Sequence, residues 1–522
     1  MRAHGYPVRQ NPILDRLDHV ENRDALINAD GSEADWPVCD AIVGNPPFLG
    51  DKKMRSELGD VYTEALRKCY TDRVPGGANL VTYWFEKARA RIDMDQYLRA
   101  GLVAAQSIRK GESQKVLARI CDTTRFFNVW SDEEWVNDGA AVRVSLGCFG
   151  NVDGATLNGQ PVDSIHADFT AGGGISLTQA RPLKENAGMA FIGTQKNGPF
   201  DVPGEIARRW LVQPNPNGKP NSDVVRPWVN GQDITTRLSD TWIIDFGSNR
   251  AEQDSALYEA PFGYAEVHVK PTRKGNRDPR AGTMWWLHKR SNDDLREALA
   301  PVRRFVATSR VAKYRLFVWI DGCVLPDSRL FAIARENDTT FGVLSSRVHA
   351  VWALANASIH GDGDEGGRPT YNAKSCFETF PFPAGLTPRD TAPTASQTSP
   401  PCLAEQIIAE NIGAAARHLN TLRENWLNPP EWVDWVITPE EEKAGFPKRP
   451  VAKPGHEAEL KKRTLTNLYN VRPAWLDNAH KALDAAVAAA YGWADYAPTM
   501  PDEEILRRLL ALNLERAGEL RQ

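Results

Sequence analysis

A short apolar run that ends at four turn residues constrains the amino-terminal part of this chain more than any other feature. The run covers residues 40–44 (Asp-Ala-Ile-Val-Gly), and Asn45, Pro46, Pro47 and Phe48 follow it directly. Consecutive apolar residues closed by turn residues are typical of a buried parallel strand. Because ligands of open α/β sheets bind at the carboxyl ends of strands, these four residues are predicted to lie at a site.

The Asn-Pro-Pro-Phe loop carries groups suited to holding a planar base by its NH2 group. The Asn45 side-chain oxygen and a proline carbonyl can each accept one N–H, and the prolines hold these acceptors in place because they restrict the backbone. Phe48 adds a flat apolar face on which a base can stack. This combination favours an enzyme that acts on a flipped-out base. The alternative is an ordinary strand-ending turn, since Asn and Pro are common turn residues.

The tetrapeptide and its setting resemble motif IV of the adenine-N6 DNA methyltransferases. The resemblance implies that Asn45, Pro46, Pro47 and Phe48 are catalytic residues and that S-adenosylmethionine is the methyl donor. Accepting both N–H bonds favours a pyramidal adenine amine. Such bonds strengthen as positive charge builds on the nitrogen, so they stabilise the transition state more than the ground state.

The residues that follow predict the rest of an α/β sheet. Residues 79–88 resemble motif V, a helix whose first turn helps to close the cofactor pocket, although Leu80, Trp84 and Ala88 would form a core stripe in any helix. A buried strand is expected at 101–105, a helix at 113–121, and a β-hairpin from 126–130 and 142–148. The predicted fold class is therefore α/β: a partial Rossmann-like class I methyltransferase sheet, a mixed α/β target-recognition domain and a small helical C-terminal domain.

Residues 21–26 resemble motif III of the same family, which implies that Asp24, together with Asn45, contacts the cofactor. The alternative is a merely solvated Asp on a turn. The family's Gly-rich turn and the acidic residue after its second strand have no counterpart in the 23 residues before Asp24, and Gly172–174 is most simply a linker. We therefore expect a sheet that lacks its first strands and exposes a flank of its central strand. A separate chain or an upstream segment would supply the rest, or the chain is an inactive remnant.

Length and composition set looser bounds. A chain of 522 residues predicts about three domains. The net charge of −4 excludes general polycation behaviour, so any contact with nucleic acid must be local. The seven cysteines have no metal-site spacing, so no metal is predicted, and they fit a reducing cytoplasm. No signal peptide or long apolar run is present, which agrees with a cytoplasmic location.

A local basic region lies in the middle of the chain. Residues 265–315 contain 13 Lys or Arg against 5 Asp or Glu. Such groups beside Ser, Thr and aromatic residues suit phosphate contact with stacking, whereas the alternative is a solvated face. The predicted DNA-binding residues form two clusters, the first with Arg277 and Arg280 nearby: Lys270, Arg273 and Lys274; and Arg303, Arg304, Arg310, Lys313 and Arg315.

Several phrases in this part resemble the target-recognition half of type IIG and type IIL restriction-modification enzymes, namely residues 285–288, 307–313, 324–328 and 377–383. The resemblance implies double-stranded DNA as the partner, with base edges contacted in the major groove. The implied domains are 1–165 (partial catalytic domain), 166–385 (target recognition), 386–402 (an exposed linker) and 403–522 (helical). The amino-terminal nuclease of type IIL enzymes has no counterpart, so cleavage is not predicted.

Two other functions are open at this point. A glutamine-N5 protein methyltransferase also uses an Asn-Pro-Pro loop to hold an NH2 group, but those enzymes are small and carry no long basic domain. A non-catalytic DNA-recognition subunit or pseudoenzyme is the second, because the Gly-rich turn cannot be placed. Binding of S-adenosylmethionine by the isolated chain would distinguish an enzyme from this last class.

Overall fold

The computed structural model describes residues 20–94, 98–109, 111–137, 140–171, 177–275, 278–360, 368–391 and 402–519. The chain divides into two compact units, unit 1 (residues 1–172) and unit 2 (residues 173–522). The predicted linker at Gly172–174, Arg277 and residues 392–401 of the predicted linker 386–402 lie outside the described residues.

Unit 1 is an α/β unit. Its described helices and strands are, in chain order, β1 Ala41–Gly44, α1 Asp51–Leu58, α2 Asp60–Cys69, α3 Val81–Asp93, β2 Arg99–Ala105, α4 Gly111–Thr123, β3 Arg125–Asn137, β4 Ala140–Gly150, β5 Ala155–Leu157 and β6 Gln160–Val162. The predicted strand at 101–105, the helices at 79–88 and 113–121 and the hairpin are confirmed as β2, α3, α4 and β3–β4.

One sheet organises unit 1. The order of its described strands is β1-β2-β4-β3-β5-β6. β1 runs parallel to β2, with Gly44 opposite Leu102, and β2, β4 and β3 are successively antiparallel. The core lies on the face where Leu102 and Phe149 pack with Phe85 of α3 and Val116 of α4. Burial of this apolar face stabilises the unit by roughly 25 cal/mol per Å² of apolar surface removed from water.

β1 differs from the prediction in its burial. It forms the edge of the sheet as described, and the Val43 side chain is 85% exposed. The apolar run was predicted to be buried because parallel strands are usually covered on both faces and both edges. Within the part of the chain that the structure describes, no strand pairs with the outer edge of β1, as expected for a sheet without its first strands.

Unit 2 is a mixed α/β unit with a helical carboxyl-terminal part. Its described helices and strands are β7 Ala190–Ile192, β8 Asp201–Pro203, α5 Gly204–Leu211, β9 Val225–Val229, α6 Gly231–Thr235, β10 Thr241–Ile244, α7 Glu252–Ala256, α8 Glu259–His268, α9 Lys270–Arg273, α10 Pro279–Thr283, α11 Asp293–Leu299, β11 Arg304–Ser309, β12 Phe317–Asp321, β13 Leu325–Pro326, β14 Leu330–Ile333, α12 Asp338–Ser345, α13 Arg347–Ala355, β15 Ile359–His360, β16 Arg368–Pro369, α14 Leu403–Leu427, β17 Val433–Val436, α15 Pro439–Lys443, β18 Arg449–Ala452, α16 Glu457–Lys462, α17 Leu465–Val471, α18 Ala474–Ala490 and α19 Asp502–Glu519.

The described part of unit 2 contains two four-stranded sheets, with the strand orders β13-β9-β10-β8 and β12-β11-β14-β7. The apolar core beside the second sheet joins Val306 and Trp352 to Leu419 of α14 and Leu483 of α18. Leu386, the first residue of the predicted linker, is also in this core and is 3% exposed. Thr387 and Pro388 are also buried, so the exposed part of the predicted linker begins at Arg389, and the residues on the two sides of the linker share one core.

The helical end follows its sequence pattern. The predicted stripe of Leu476, Ala479, Leu483 and Val487 is buried on α18. The helix ends at Ala490, shortly before Gly492, whose φ of 72° lies in the left-handed region that favours glycine. The predicted acidic helix after Pro501 is α19. Among the described helices, none has both the length and the apolar character that a membrane span requires.

Candidate functional site

The Asn-Pro-Pro-Phe loop leaves the carboxyl end of β1, as predicted. β2 runs parallel beside β1 and is followed by a short 3-10 helix, Gln106–Arg109, so both strands end at the same edge of the sheet. The carboxyl ends of parallel strands are where α/β sheets bind ligands. Residues 45–50 and 106–109 therefore form two sides of the candidate site.

The loop presents its acceptors to solvent. Pro46 is buried and anchors the loop, whereas Asn45, Pro47 and Phe48 are exposed, Phe48 by 39%. The carbonyl of Pro47 accepts a hydrogen bond from Leu49 N–H at 3.2 Å. Neither the Asn45 side chain nor the Pro46 carbonyl has a hydrogen-bond partner among the described residues. The structure thus leaves two acceptors available beside an exposed aromatic ring.

A network that the sequence did not indicate ties the loop to its neighbours. Leu80 N–H donates to the carbonyl of Leu49 at 2.8 Å, just before α3 begins. The adjacent Asn79 donates from its side chain to Ser107 Oγ at 3.2 Å and from its backbone to Ser113 Oγ at 3.1 Å. Four segments are held together: the loop after β1, the start of α3, the residues after β2, and α4. Single serines after an apolar strand give no signal of such a role in a sequence.

Asp24 lies on a turn, and its carboxylate stabilises this turn by accepting hydrogen bonds from the backbone. Oδ1 accepts from Leu26 N–H at 2.7 Å and from Ile27 N–H at 2.9 Å, and Oδ2 accepts from the Tyr62 hydroxyl at 2.9 Å. Burial, and then the hydrogen bond to Asp24, raises the pKa of Tyr62 well above its usual value, so Tyr62 stays a donor. Asp24 is therefore a structural acceptor in addition to any contact it makes with a ligand.

The helix α3 links this turn to the loop. The Nζ of Lys87, in the middle of α3, donates to the carbonyl of Ala25 at 3.0 Å, while Leu80 at the start of α3 holds the loop. Seven residues of helix separate the two attachments, which corresponds to about 10 Å along the helix axis. The two predicted cofactor-contacting segments, at Asp24 and at Asn45, are thus attached to one helix.

Two of the predicted DNA-binding residues have structural roles inside unit 2. Arg273 is 2% exposed, and its guanidinium donates to the backbone carbonyls of Lys196, Asn197 and Leu287 at 2.7, 3.0 and 2.6 Å. Burial lowers its pKa to about 10. Arg315 donates to Thr308 Oγ1 at 3.1 Å and to the Pro369 carbonyl at 3.3 Å, and burial lowers its pKa. Both were predicted to contact DNA from the surface, but the hydrogen bonds of their guanidinium groups are all made inside unit 2.

Three other candidates are more exposed but already have partners. Lys270 forms an ion pair with Glu266 at 2.8 Å. Arg304 pairs with Asp338 at 2.8 Å and lies 3.8 Å from the centre of the Trp319 ring. Lys313 donates to Asn470 Oδ1 at 3.0 Å. A phosphate would have to compete with these contacts.

The remaining candidates are Lys274, Arg303 and Arg310. All three are exposed, and the charged group of each has no hydrogen-bond or ion-pair partner within the described part of unit 2. Unpaired exposed cations bind phosphates without first breaking an existing interaction. These three residues therefore best fit phosphate contact by their geometry.

Comparison with solved structures identifies a similar fold. The chain is similar to the type IIL restriction-modification enzyme MmeI, whose structure was determined in complex with DNA, with a TM-score of 0.63 and 17% sequence identity. The match covers 92% of this chain and 57% of the MmeI chain. The predicted α/β fold class is confirmed by this likeness and by the sheets described above.

A second solved structure, the type IIG restriction endonuclease BpuSI, matches with 11% identity over 90% of this chain and 56% of that chain. Its TM-score of 0.23 does not indicate a shared fold. No family model matches the sequence, and no curated protein matches it.

Proposed function

We propose that this chain is the base-binding and DNA-recognition part of a site-specific DNA adenine-N6 methyltransferase, of the restriction-modification or phage-defence type. One observation carries the proposal: the Asn-Pro-Pro-Phe loop leaves a parallel strand at its carboxyl end with the Asn45 side chain and the Pro46 carbonyl free to accept, among the described residues. The likeness in fold to MmeI supports the architecture that such an enzyme needs.

The proposed chemistry follows from these groups. Asn45 Oδ1 and the Pro46 carbonyl accept the two N–H bonds of a flipped adenine amine, while the exposed ring of Phe48 stacks on the base. S-adenosylmethionine, when bound, supplies the sulfonium methyl group. The two acceptors would stabilise the positive charge that develops on the amine nitrogen during transfer of that methyl group, and so would favour the transition state over the ground state.

Asp24 and Asn45 are the residues proposed to contact the cofactor. Oδ2 of Asp24 accepts one hydrogen bond, from Tyr62, and a carboxylate oxygen can accept a second. The residues present fit one side of such a site. We propose that a separate polypeptide completes the sheet beyond β1, because no described strand pairs with the outer edge of β1 and Val43 is exposed.

Unit 2 is proposed to bind double-stranded DNA. Lys274, Arg303 and Arg310 are its first candidates for phosphate contact, with Lys270, Arg304 and Lys313 as secondary ones. The MmeI structure, which shares the fold, is a complex with DNA. The finer division into a recognition domain at 166–385 and a helical domain at 403–522 stays a prediction.

A non-catalytic DNA-recognition subunit is the second candidate function. The open edge of β1 favours it, since the described residues form the candidate cofactor site on one side only. Calorimetric titration of the isolated chain with S-adenosylmethionine separates the two. Clear binding defeats the non-catalytic candidate, whereas absence of binding defeats catalysis by this chain alone and leaves two readings, a non-catalytic subunit and an enzyme that a second polypeptide completes. A glutamine-N5 protein methyltransferase fits less well, because it gives no role to a unit as large as unit 2.

The direct test is Asn45→Ala, compared with Asn151→Ala as a control. Asn151 is an exposed asparagine in the same unit and has no described side-chain partner. Transfer of labelled methyl groups to duplex DNA by the complete assembly should fall about 10²–10³-fold with Asn45→Ala, as for loss of other transition-state hydrogen bonds. Asn151→Ala should methylate normally, and both variants should bind DNA as the unmodified chain does. Normal methylation by Asn45→Ala would remove Asn45 from the mechanism.

A further inference from the structure

A cleft of about 550 Å³ opens in unit 2, and its lining includes Arg303, one of the candidate phosphate contacts. It lies between β9, α11 and the turn that joins β12 to β13. Its apolar wall is formed by Leu295, Leu299, Val302, Val324 and Leu325. Gly445 also lines it, and an added Cβ there would meet nothing within 4 Å, so this side is open. The volume is within the range of small-molecule sites.

Two of the polar groups in the cleft are already satisfied. Arg296 forms a bidentate ion pair with Asp245, at 2.8 and 2.9 Å, and donates a hydrogen bond to the Ser291 carbonyl at 3.0 Å. Asp321 supplies the carboxylate that lines the cleft, and this carboxylate accepts a hydrogen bond from Cys323 N–H at 3.0 Å. These groups shape the cleft but do not require a ligand.

Two other arginines line the cleft without such partners. The guanidinium groups of Arg226 and Arg303 form neither hydrogen bonds nor ion pairs with any residue that the structure describes. Arg226 is half-buried on β9, where its backbone is paired opposite Ile243. The backbone of Arg303 is held by Gly322 N–H at 2.7 Å and by Glu336. Positive groups beside an apolar wall are stabilised by an anion, and guanidinium groups match the geometry of phosphate.

We propose that this cleft binds a nucleotide, with its phosphate on Arg226 and Arg303 and its sugar or base against the apolar wall of Leu299 and Val302. The site does not use the Asn-Pro-Pro-Phe loop and does not require methyl transfer. The bound nucleotide is either part of a DNA strand or a free nucleotide. Only the first of these sources depends on the proposed DNA recognition by unit 2.

Cys323 lines the cleft and gives a direct readout. Burial, and then the hydrogen bond with Asp321, raises the pKa of its thiol, so alkylation by N-ethylmaleimide should be slow and best followed in mildly alkaline buffer. Labelling of Cys323 is measured by peptide mass spectrometry, with the exposed Cys39 of unit 1 as the internal reference. The probes are dAMP, adenosine, inorganic phosphate and a duplex oligonucleotide.

A bound nucleotide should protect Cys323 and leave Cys39 unchanged. At a probe concentration about ten times its Kd, labelling should slow about tenfold. Protection by dAMP indicates a free nucleotide as a ligand, and protection by the duplex alone indicates DNA as the source. If neither dAMP nor the duplex protects Cys323, the proposal is overturned. Protection by adenosine equal to that by dAMP would overturn the role of the phosphate, whereas protection by inorganic phosphate supports it.

The variants Arg226→Gln and Arg303→Gln should each lose this protection, and Arg226→Lys should retain part of it. Arg209→Gln is the matched control, because Arg209 is an exposed arginine of the same unit that lies outside the cleft. Circular dichroism checks that the variants fold. Full protection in both glutamine variants would overturn the proposal. Because no methylation is measured, failure here is distinct from failure of the proposed enzyme activity.

Discussion

The Nζ of Lys87 donates a hydrogen bond to the carbonyl oxygen of Ala25, 62 residues earlier in the chain, across 3.0 Å. It donates a second hydrogen bond to the carbonyl of Ala34 and lies 4.6 Å from the centre of the Trp36 ring. A buried cation of α3 thus holds the turn that carries Asp24. The placement of a proposed cofactor contact depends on a side chain that has no part in the chemistry.

Lys87 should make the stability of unit 1 change with pH in the alkaline range. Burial lowers its pKa to about 8. Between about pH 8 and the ordinary lysine value the unfolded chain binds more protons at this residue than the folded chain, so the free energy of unfolding rises with pH. Urea unfolding at pH 7.5 and 9.5 should show a gain on the order of 1 kcal/mol that Lys87→Met lacks. An equal gain in Lys87→Met would contradict a buried, titrating Lys87.

Arg273 should contribute to stability and not to DNA binding. Arg273→Met leaves the carbonyls of Lys196, Asn197 and Leu287 without their donor, so the free energy of unfolding should fall on the order of 3 kcal/mol. Lys274→Met, at the exposed neighbouring position, should change stability little. Thermal unfolding measures both. The structural role of Arg273 would be excluded if Arg273→Met were no more destabilising than Lys274→Met.

Arg303 and Arg310 should contribute to the salt dependence of DNA binding. Charge reversal of both residues leaves two phosphates without their cations, so the slope of log K against log salt should decrease by about 0.9 for each phosphate that is no longer neutralised. Arg209→Glu supplies a control in which an exposed charge of unit 2 is reversed outside both predicted clusters. Filter binding over a salt series gives the slopes. An unchanged slope in the double variant would exclude the two residues from phosphate binding.

Local patterns in the sequence were sufficient for the elements around the site. The apolar run before Asn45 predicted a parallel strand and a loop at its carboxyl end, because strand length and turn residues are local properties. The stripe on α18 was likewise correct, because a helix repeats its buried face every three or four residues.

Properties that depend on distant neighbours could not be predicted in the same way. Arg273 and Arg315 lie in basic runs, but a count of charges does not indicate whether a guanidinium faces solvent or backbone carbonyls. The hydrogen bond of Asn79 with Ser107 joins residues 28 positions apart, and nothing in either local pattern indicates it. The exposure of Val43 depends on what covers its face of the sheet, which is a property of the whole unit.

Among the described strands none pairs with the outer edge of β1, and this edge should make the isolated chain associate with itself. An unpaired strand edge beside an exposed apolar side chain is a template for pairing with another chain, and Val43 on this edge is 85% exposed. Val43→Lys places a charge on the edge and should lower the apparent mass at high concentration in sedimentation experiments. It should leave the unfolding midpoint unchanged, because so exposed a side chain contributes little to the core.

Val61→Lys is the matched control, since Val61 is 88% exposed but lies on the helix α2. If both variants reduced association equally, general apolar contact and not strand pairing would be the cause. A specific effect of Val43→Lys would identify β1 as the edge to which the proposed completing polypeptide should add its strand.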